Sequence, residues 1–310
     1  MRTPEEMYTI HHDVTFVQRP VLVYAFTGFV DAGSAVRLAA EQILATHEHR
    51  LIASFDVDEV LDYRARRPRM RFVIDHFANV DIPQITLHEV IDADGTPFLL
   101  LTGPEPDYQW QRFVAAVGSL VERFGASLAI GMSAVPWPAP HTRPVGVMRH
   151  GTERGLLQGK AAFAQEIEVP GHVTAMLELG LAERGIASMG LTAQVPHYLV
   201  QFDFPASAAS LLTGLAELTG LNLPVADLQP ASERAEREIA NQLDGNEEFA
   251  SVVADLEAQY DQQSAAPAEG SAGFTDLAPD GKVPTADEIA AQFEEFLQGL
   301  GDDEDKGERG

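Results

Sequence analysis

The sequence predicts an open α/β sheet covered by helices on both faces, and three observations carry that reading. The stretch Val21–Ser34 (VLVYAFTGFVDAGS) is a β-branched and aromatic run stopped by glycine, then a small polar cluster, then apolar residues at helical spacing. That order is the pattern of a buried strand, a tight turn and a helix. Along the next two hundred residues, apolar strand-like runs alternate with helical patterns of about 12 to 18 residues, as in sheets covered on both sides. Glycine or proline follows the strand ends at Gly28, Gly103, Pro136 and Pro196. Ligands of such sheets bind beyond the carboxyl ends of the strands, so these loops are expected to converge on one crevice.

Taken in order, His12–Val17 and Val21–Thr27 read as two strands around Arg19-Pro20, the second being central. Helix Ser34–His47 carries Ala35, Leu38, Ala39, Ile43 and Leu44 on one side. Arg50–Val57 returns as a strand. Met70–Phe77 and Gln84–Ile91 are extended runs that predict a hairpin projecting from the main sheet, flanked by Arg64, Arg66, Arg67, Arg69 and Arg71. That charged flank reads as a solvated face or a subunit contact.

Thr96–Thr102 is a short strand, and Asp107 is a suitable N-cap for a helix to Phe124. Ser127–Val135 is a buried strand followed by the loop Pro136–Pro144, which prolines 136, 138, 140 and 144 keep irregular and stiff. Val145–His150 and Phe163–Val169 are further extended runs. Helix His172–Arg184, strand Ala187–Val195 and helix Ala206–Thr219 complete the core; Pro205 suits the first turn of the last.

From Pro230 the character changes. Ser232–Leu243 and Glu247–Tyr260 are helical, with Ile239, Phe249, Val252, Val253, Leu256 and Tyr260 as apolar teeth that must pack on something. The domain plan is therefore a core over 1–229 with the hairpin insertion at 70–91, a helical lid over 230–262 and a flexible Ala/Ser/Gly/Pro linker over 263–284. An amphipathic helix and acidic tail fill 285–310, where Thr285 and Glu288 make a capping-box pattern.

The formal charge of −26 is unevenly spread: Ala231–Gly310 holds 21 acids and 5 bases. Such a balance repels phosphate backbones, and no basic run offsets it, so no nucleic-acid partner is expected. The first residues lack an apolar signal region and no stretch is long enough to span a bilayer, which predicts a cytoplasmic protein without membrane association. The absence of cysteine removes disulfides, thiolate nucleophiles and cysteine metal sites.

Candidate site residues cluster in three loops. Gly28, Asp31, Gly33 and Ser34 resemble a phosphate cradle but lack the ending of a P-loop and the G-x-G-x-x-G of a dinucleotide fold. Asp31 would suit a donor-bearing ligand, or it caps the helix. Ser133 sits late in a strand, but Val135 stands where a nucleophile elbow needs glycine, so hydrogen bonding at the strand end competes with a nucleophilic role. In the second loop, Arg143 could clamp an anion and His141 line the pocket, or both could bond loop carbonyls. His150 and His197 each follow an extended run. No metal is expected: His11-His12 and His47-x-His49 lack zinc spacings, and HExxH is absent. No cofactor motif is present.

Together, Gly28–Ala35 after the first strand, the Pro140-His141-Thr142-Arg143-Pro144 loop and Gln194-Val195-Pro196-His197-Tyr198 resemble the bacterial branch of the proteasome assembly chaperone family, second-subunit type, over roughly His12 to Gln262. The resemblance implies a three-layer α/β/α open mixed sheet like that of purine nucleoside phosphorylases and related hydrolases. It implies a homotrimer helped by the inserted hairpin, and a helical lid at Ser232–Tyr260. It supplies no catalytic residues. Chaperones of this kind that dock on proteasome rings use a hydrophobic-Tyr-any ending, whereas this chain ends Glu308-Arg309-Gly310, so docking by that route is not expected. Two readings follow: a scaffold or small-molecule binding protein with a lidded pocket, its partner an unidentified small molecule or protein, or a phosphorylase- or hydrolase-like enzyme acting on a glycosidic or amide-like bond.

Overall fold

The computed structural model describes residues 3–152, 155, 157, 166–243 and 247–265. The chain divides into two units, Met1–Ala162 with His172–Pro267, and Phe163–Gly171 with Ala268–Gly310. In the second unit only residues 166–171 are described, and they hold no helix or strand. The remainder of the expected strand from Phe163, most of the linker and the terminal helix from Thr285 lie outside the described residues.

The first unit holds, in chain order, β1 (Tyr8–Ile10), β2 (Val21–Thr27), α1 (Ala35–Thr46), β3 (His49–Phe55), β4 (Arg69–Val73), β5 (His76–Asp81), β6 (Thr86–Ile91), β7 (Pro97–Pro104), α2 (Trp110–Phe124), β8 (Leu128–Trp137), β9 (Val147–Gly151), α3 (Val173–Glu183), β10 (Ala187–Pro196), α4 (Pro205–Thr219), α5 (Gln229–Leu243) and α6 (Glu247–Ala265). Eight strands form one mixed sheet in the order β1-β3-β6-β7-β2-β8-β10-β9. The centre, β7-β2-β8-β10, is parallel, and the outer strands pair antiparallel. The expected α/β/α architecture is therefore present.

Strand alternation sorts the core into two halves. Val23, Ala25, Ile130, Met132 and Leu191 point to one face, where Ala39 and Ile43 of α1 and Leu211 and Leu215 of α4 cover them; Ile239 of α5 and Val253 and Leu256 of α6 extend that half. Leu22, Tyr24 and Phe26 point to the other, against Phe113 and Leu120 of α2 and Leu177 of α3. No helix among the described residues is long and apolar enough to cross a membrane.

Two elements differ from expectation. The edge slot beside β3 is filled by Tyr8–Ile10, whereas His12–Val17 has no ladder; Phe16 instead packs edge-on against Phe124, ring centroids 6.4 Å apart. The hairpin is β4 paired with β5, a separate two-stranded sheet over Arg69–Asp81, while β6 joins the main sheet between β3 and β7. Its turn contains Ile74 at φ 56°. A β-branched residue in the left-handed region is sterically unfavourable and carries no turn signal in sequence, which is why Met70–Phe77 reads as one strand.

Candidate functional site

The loop after β2 is built for close approach. At Gly28 (φ 154°) an added Cβ would lie 3.0 Å from Glu105 Cβ, and at Gly33 (φ 64°) 3.0 Å from Val195 and 3.2 Å from Phe204. Gly33 N donates to Val200 O at 3.0 Å, and Phe204 N donates to Gly33 O at 2.9 Å, so this loop is tied to the segment after β10. Ala134 N donates to Val30 O at 2.7 Å, tying it to β8 as well.

Asp31 is spent on the helix. Its Oδ1 accepts from Val36 N at 2.7 Å and Arg37 N at 3.4 Å, satisfying donors that open α1. Burial nevertheless pushes its carboxyl up to about 7, against the opposing pull of those two N–H groups and of Arg37. Ser34, left-handed at φ 51°, hydrogen-bonds Asp203, which also takes Arg37 Nη2 at 2.6 Å.

Tyr198 joins the other two loops. Its hydroxyl accepts from His141 N at 2.8 Å and lies 2.9 Å from His141 Nδ1. Its ring meets His197 at 5.3 Å and Phe249 of α6 at 5.1 Å, both edge-on. Burial lowers the pKa of His141 and His197, favouring neutral imidazoles, and raises the Tyr198 phenol to about 12. Arg143 forks onto α6: Nε and Nη2 reach Asp261 at 2.8 and 2.7 Å, and Nη1 reaches Glu257 at 3.1 Å. Thr142 also donates to Glu257, and the Tyr260 hydroxyl to Pro144 O at 3.4 Å. The Arg143–Asp261 hydrogen bond holds the guanidinium more firmly charged and holds the Asp261 carboxyl below the usual carboxylate range.

Gly28, Asp31, Gly33, Ser34, His141, Arg143 and His197 thus lie in loops that meet on the 195–204 segment. Asp31 and Arg143 share no partner among the described residues. Ser133 stands apart. Its neighbours Met132 and Ala134 belong to the core half under α1 and α4, so alternation turns Ser133 to the face beneath α3. There its Oγ lies 2.7 Å from Thr192 Oγ1 and 3.4 Å from Leu191 O. A groove of ≈ 520 Å³ lies elsewhere, lined by Gln109, Trp110, Gln111, Arg112 and Met176.

Several residues of these clusters were not singled out from sequence. Glu105 is buried; its Oε1 accepts from Val173 N at the start of α3 (2.8 Å) and its Oε2 from Phe29 N (3.4 Å), while Arg66 donates to its carbonyl at 2.6 Å. The only sequence signal was an acid between Pro104 and Pro106 at a strand end. Glu257 and Asp261 carry no local signal, because their partner Arg143 is more than a hundred residues away.

Solved structures of similar proteins share this fold. A Mycobacterium tuberculosis protein of unknown function is 44% identical, with a TM-score of 0.78 over 83% of this chain and 89% of that one. A Corynebacterium glutamicum protein of unknown function is 37% identical, with a TM-score of 0.79 over 84% of this chain and 98% of its own. A Mycobacterium tuberculosis protein described as a proteasome-assembly chaperone homologue is 25% identical, with a TM-score of 0.69 over 75% of this chain and 99% of that one. No protein of curated function matches. Since the model of the PAC2 family matches residues 25–243, well over half of the sequence, the chain belongs to the PAC2 family.

Proposed function

We propose that the protein is a cytoplasmic homotrimeric scaffold of the assembly-chaperone kind, which associates through the β4–β5 hairpin and engages a protein partner or small ligand at the junction of its strand-end loops. The observation that carries this reading is the hairpin surface. Met70, Phe72, Ile74, Phe77 and Val80 are all exposed, Ile74 at 93%, and the rings of Phe72 and Phe77 stack edge-on at 4.9 Å. An isolated two-stranded hairpin is marginal in water, and a concentrated apolar patch on one marks a contact surface. The strained, fully exposed Ile74 at its tip adds to the argument, since strain of this kind concentrates where a contact over-determines it. The basic flank Arg64, Arg67, Arg69 and Arg71 has a natural complement in a chain of net charge −26, namely another copy.

At the junction, α6 acts as the lid: its carboxylates hold Arg143, and release of that fork would free a guanidinium in the loop that carries His141. The mycobacterial relative's description as a chaperone homologue supports a protein partner. Light scattering on the eluting full-length protein tests the reading. The expected mass is three times that of the chain, falling to one in Phe72→Glu/Phe77→Glu; a monomeric parent, or a double variant that remains trimeric, would refute it. For the junction, a thermal-shift gain with nucleosides, sugars or phosphate that disappears in Arg143→Ala is expected.

A further inference from the structure

The sheet face beneath α3 carries polar groups that the scaffold reading does not use. Four residues lie in one row across β2, β8, β10 and β9: Tyr24 is registered with Gly131, Gly131 with Gly190, and Gly190 with His150. The two glycines form a floor. A Cβ on Gly131 would meet the Tyr24 ring, and one on Gly190 would fall inside the contact distance of the His150 ring, so a side chain at either would expel a ring. Two residues further along, and therefore on the same face, stand Ser133 and Thr192, 2.7 Å apart. His150 Nε2 lies 3.3 Å from Thr192 Oγ1, and His150 Nδ1 lies 2.9 Å from Glu178 Oε2 on α3.

One order of the hydrogens places a nucleophile beside a base. Glu178 accepts the Nδ1 hydrogen of His150, which leaves the Nε2 lone pair facing Thr192. Either hydroxyl of the Ser133–Thr192 pair can donate, and Ser133 Oγ also reaches Leu191 O at 3.4 Å; when Ser133 donates to Thr192 Oγ1, the Thr192 hydroxyl hydrogen points at Nε2. In that order nucleophile, base and orienting carboxylate stand in sequence. A second, independent feature points to a ligand. The Tyr24 hydroxyl is buried on this floor with no partner among the described residues, which is costly unless something accepts its hydrogen. Burial and the charge of Glu178 both raise its pKa, so it remains a donor.

We propose that Thr192, His150 and Glu178 form a hydrolytic site for a small neutral acyl ester, independent of the hairpin contact. Thr192 Oγ1 bonds to the acyl carbon as its proton passes to His150 Nε2. The ester C–O bond breaks, and the alcohol leaves with that proton. Water then adds to the acyl-threonine, giving one proton to His150; the carboxylic acid departs and Thr192 recovers its hydrogen. The substrate is neutral because the Glu178 carboxylate beside His150 disfavours an anion.

The test uses the full chain with p-nitrophenyl acetate and a tagged fluorophosphonate, whose phosphorus takes Oγ1 as fluoride leaves. The chain has no cysteine, so no thiol contributes background acylation. Mass spectrometry is expected to map one label to Thr192, abolished in the near-isosteric Thr192→Val and slowed roughly 10²-fold or more in His150→Gln. Glu178→Gln is expected to lower kcat about tenfold or more with KM unchanged, a split that a merely structural role would not produce. A label mapped to Ser133 or elsewhere, or labelling of His150→Gln within twofold of the parent, overturns the assignment. Should Thr192→Val fail to fold, the mapped label and His150→Gln decide the matter alone.

Discussion

Replacing Asp31 by Asn probes the loop junction through its pH dependence. Burial raises the carboxyl from an ordinary value near 4 to about 7, outweighing the Val36 and Arg37 N–H groups it caps. The folded state thus holds a proton that the unfolded chain releases above about pH 4. Stability from this group is fully present below the unfolded pKa and is lost as pH rises to about 7. A difference of some three units corresponds to a ceiling of about 4 kcal/mol, and partial hydration of the loop brings the expected effect to about 2 kcal/mol. Asn keeps an oxygen to accept from Val36 N and cannot ionise. Urea denaturation of both proteins between pH 5 and 8 is the assay. The parent is expected to lose about 2 kcal/mol relative to Asp31→Asn across that range, the variant being the more stable at pH 8. Parallel pH profiles would show that capping, not burial, governs this carboxyl, and would refute the reasoning.

Three further outcomes follow from the same contacts. Tyr198→Phe removes the hydroxyl that serves both His141 N and Nδ1 and should cost about 1–3 kcal/mol in denaturant melts, a loss largely absent in a His141→Ala background for the side-chain part of the bond. Gly33→Ala places a Cβ at φ 64° against Val195 and Phe204 and should destabilise by about 1–2 kcal/mol or more, read as a lower Tm. Arg143→Ala frees Glu257 and Asp261, so amide hydrogen exchange in α6 should accelerate while that of β8 and β10 stays unchanged.

Much of the fold was legible because local signals and tertiary placement agreed. The Gly28–Ser34 turn and the Pro205 start each mark a boundary that backbone chemistry enforces, whereas Pro136 and Trp137, expected in the loop, stay in the β8 ladder opposite Val195 and Pro196. The helical pair over Ser232–Tyr260 was visible from its apolar teeth, of which Ile239, Val253 and Leu256 are buried while Val252 stays exposed. Legibility failed where tertiary competition decided. Nothing local says that Tyr8–Ile10, and not His12–Val17, wins the edge beside β3, or that an apolar Ile74 turns a hairpin. The side to which Ser133 points follows from parity only once it is known which face α3 covers. Its partners Thr192, His150 and Glu178 come from three separate elements, each ordinary alone. Arg143 was readable as a guanidinium held by a stiff loop, but not as one already held by α6.

The account depends most on the claim that the hairpin tip is covered by another copy of the chain. Because the sequence contains no cysteine, Ile74→Cys provides a single attachment point for a nitroxide in the full-length protein. The spectrum is expected to show an immobilised label at micromolar concentration that becomes mobile on dilution or in the Phe72→Glu/Phe77→Glu background. A label that tumbles freely at every concentration would contradict the claim.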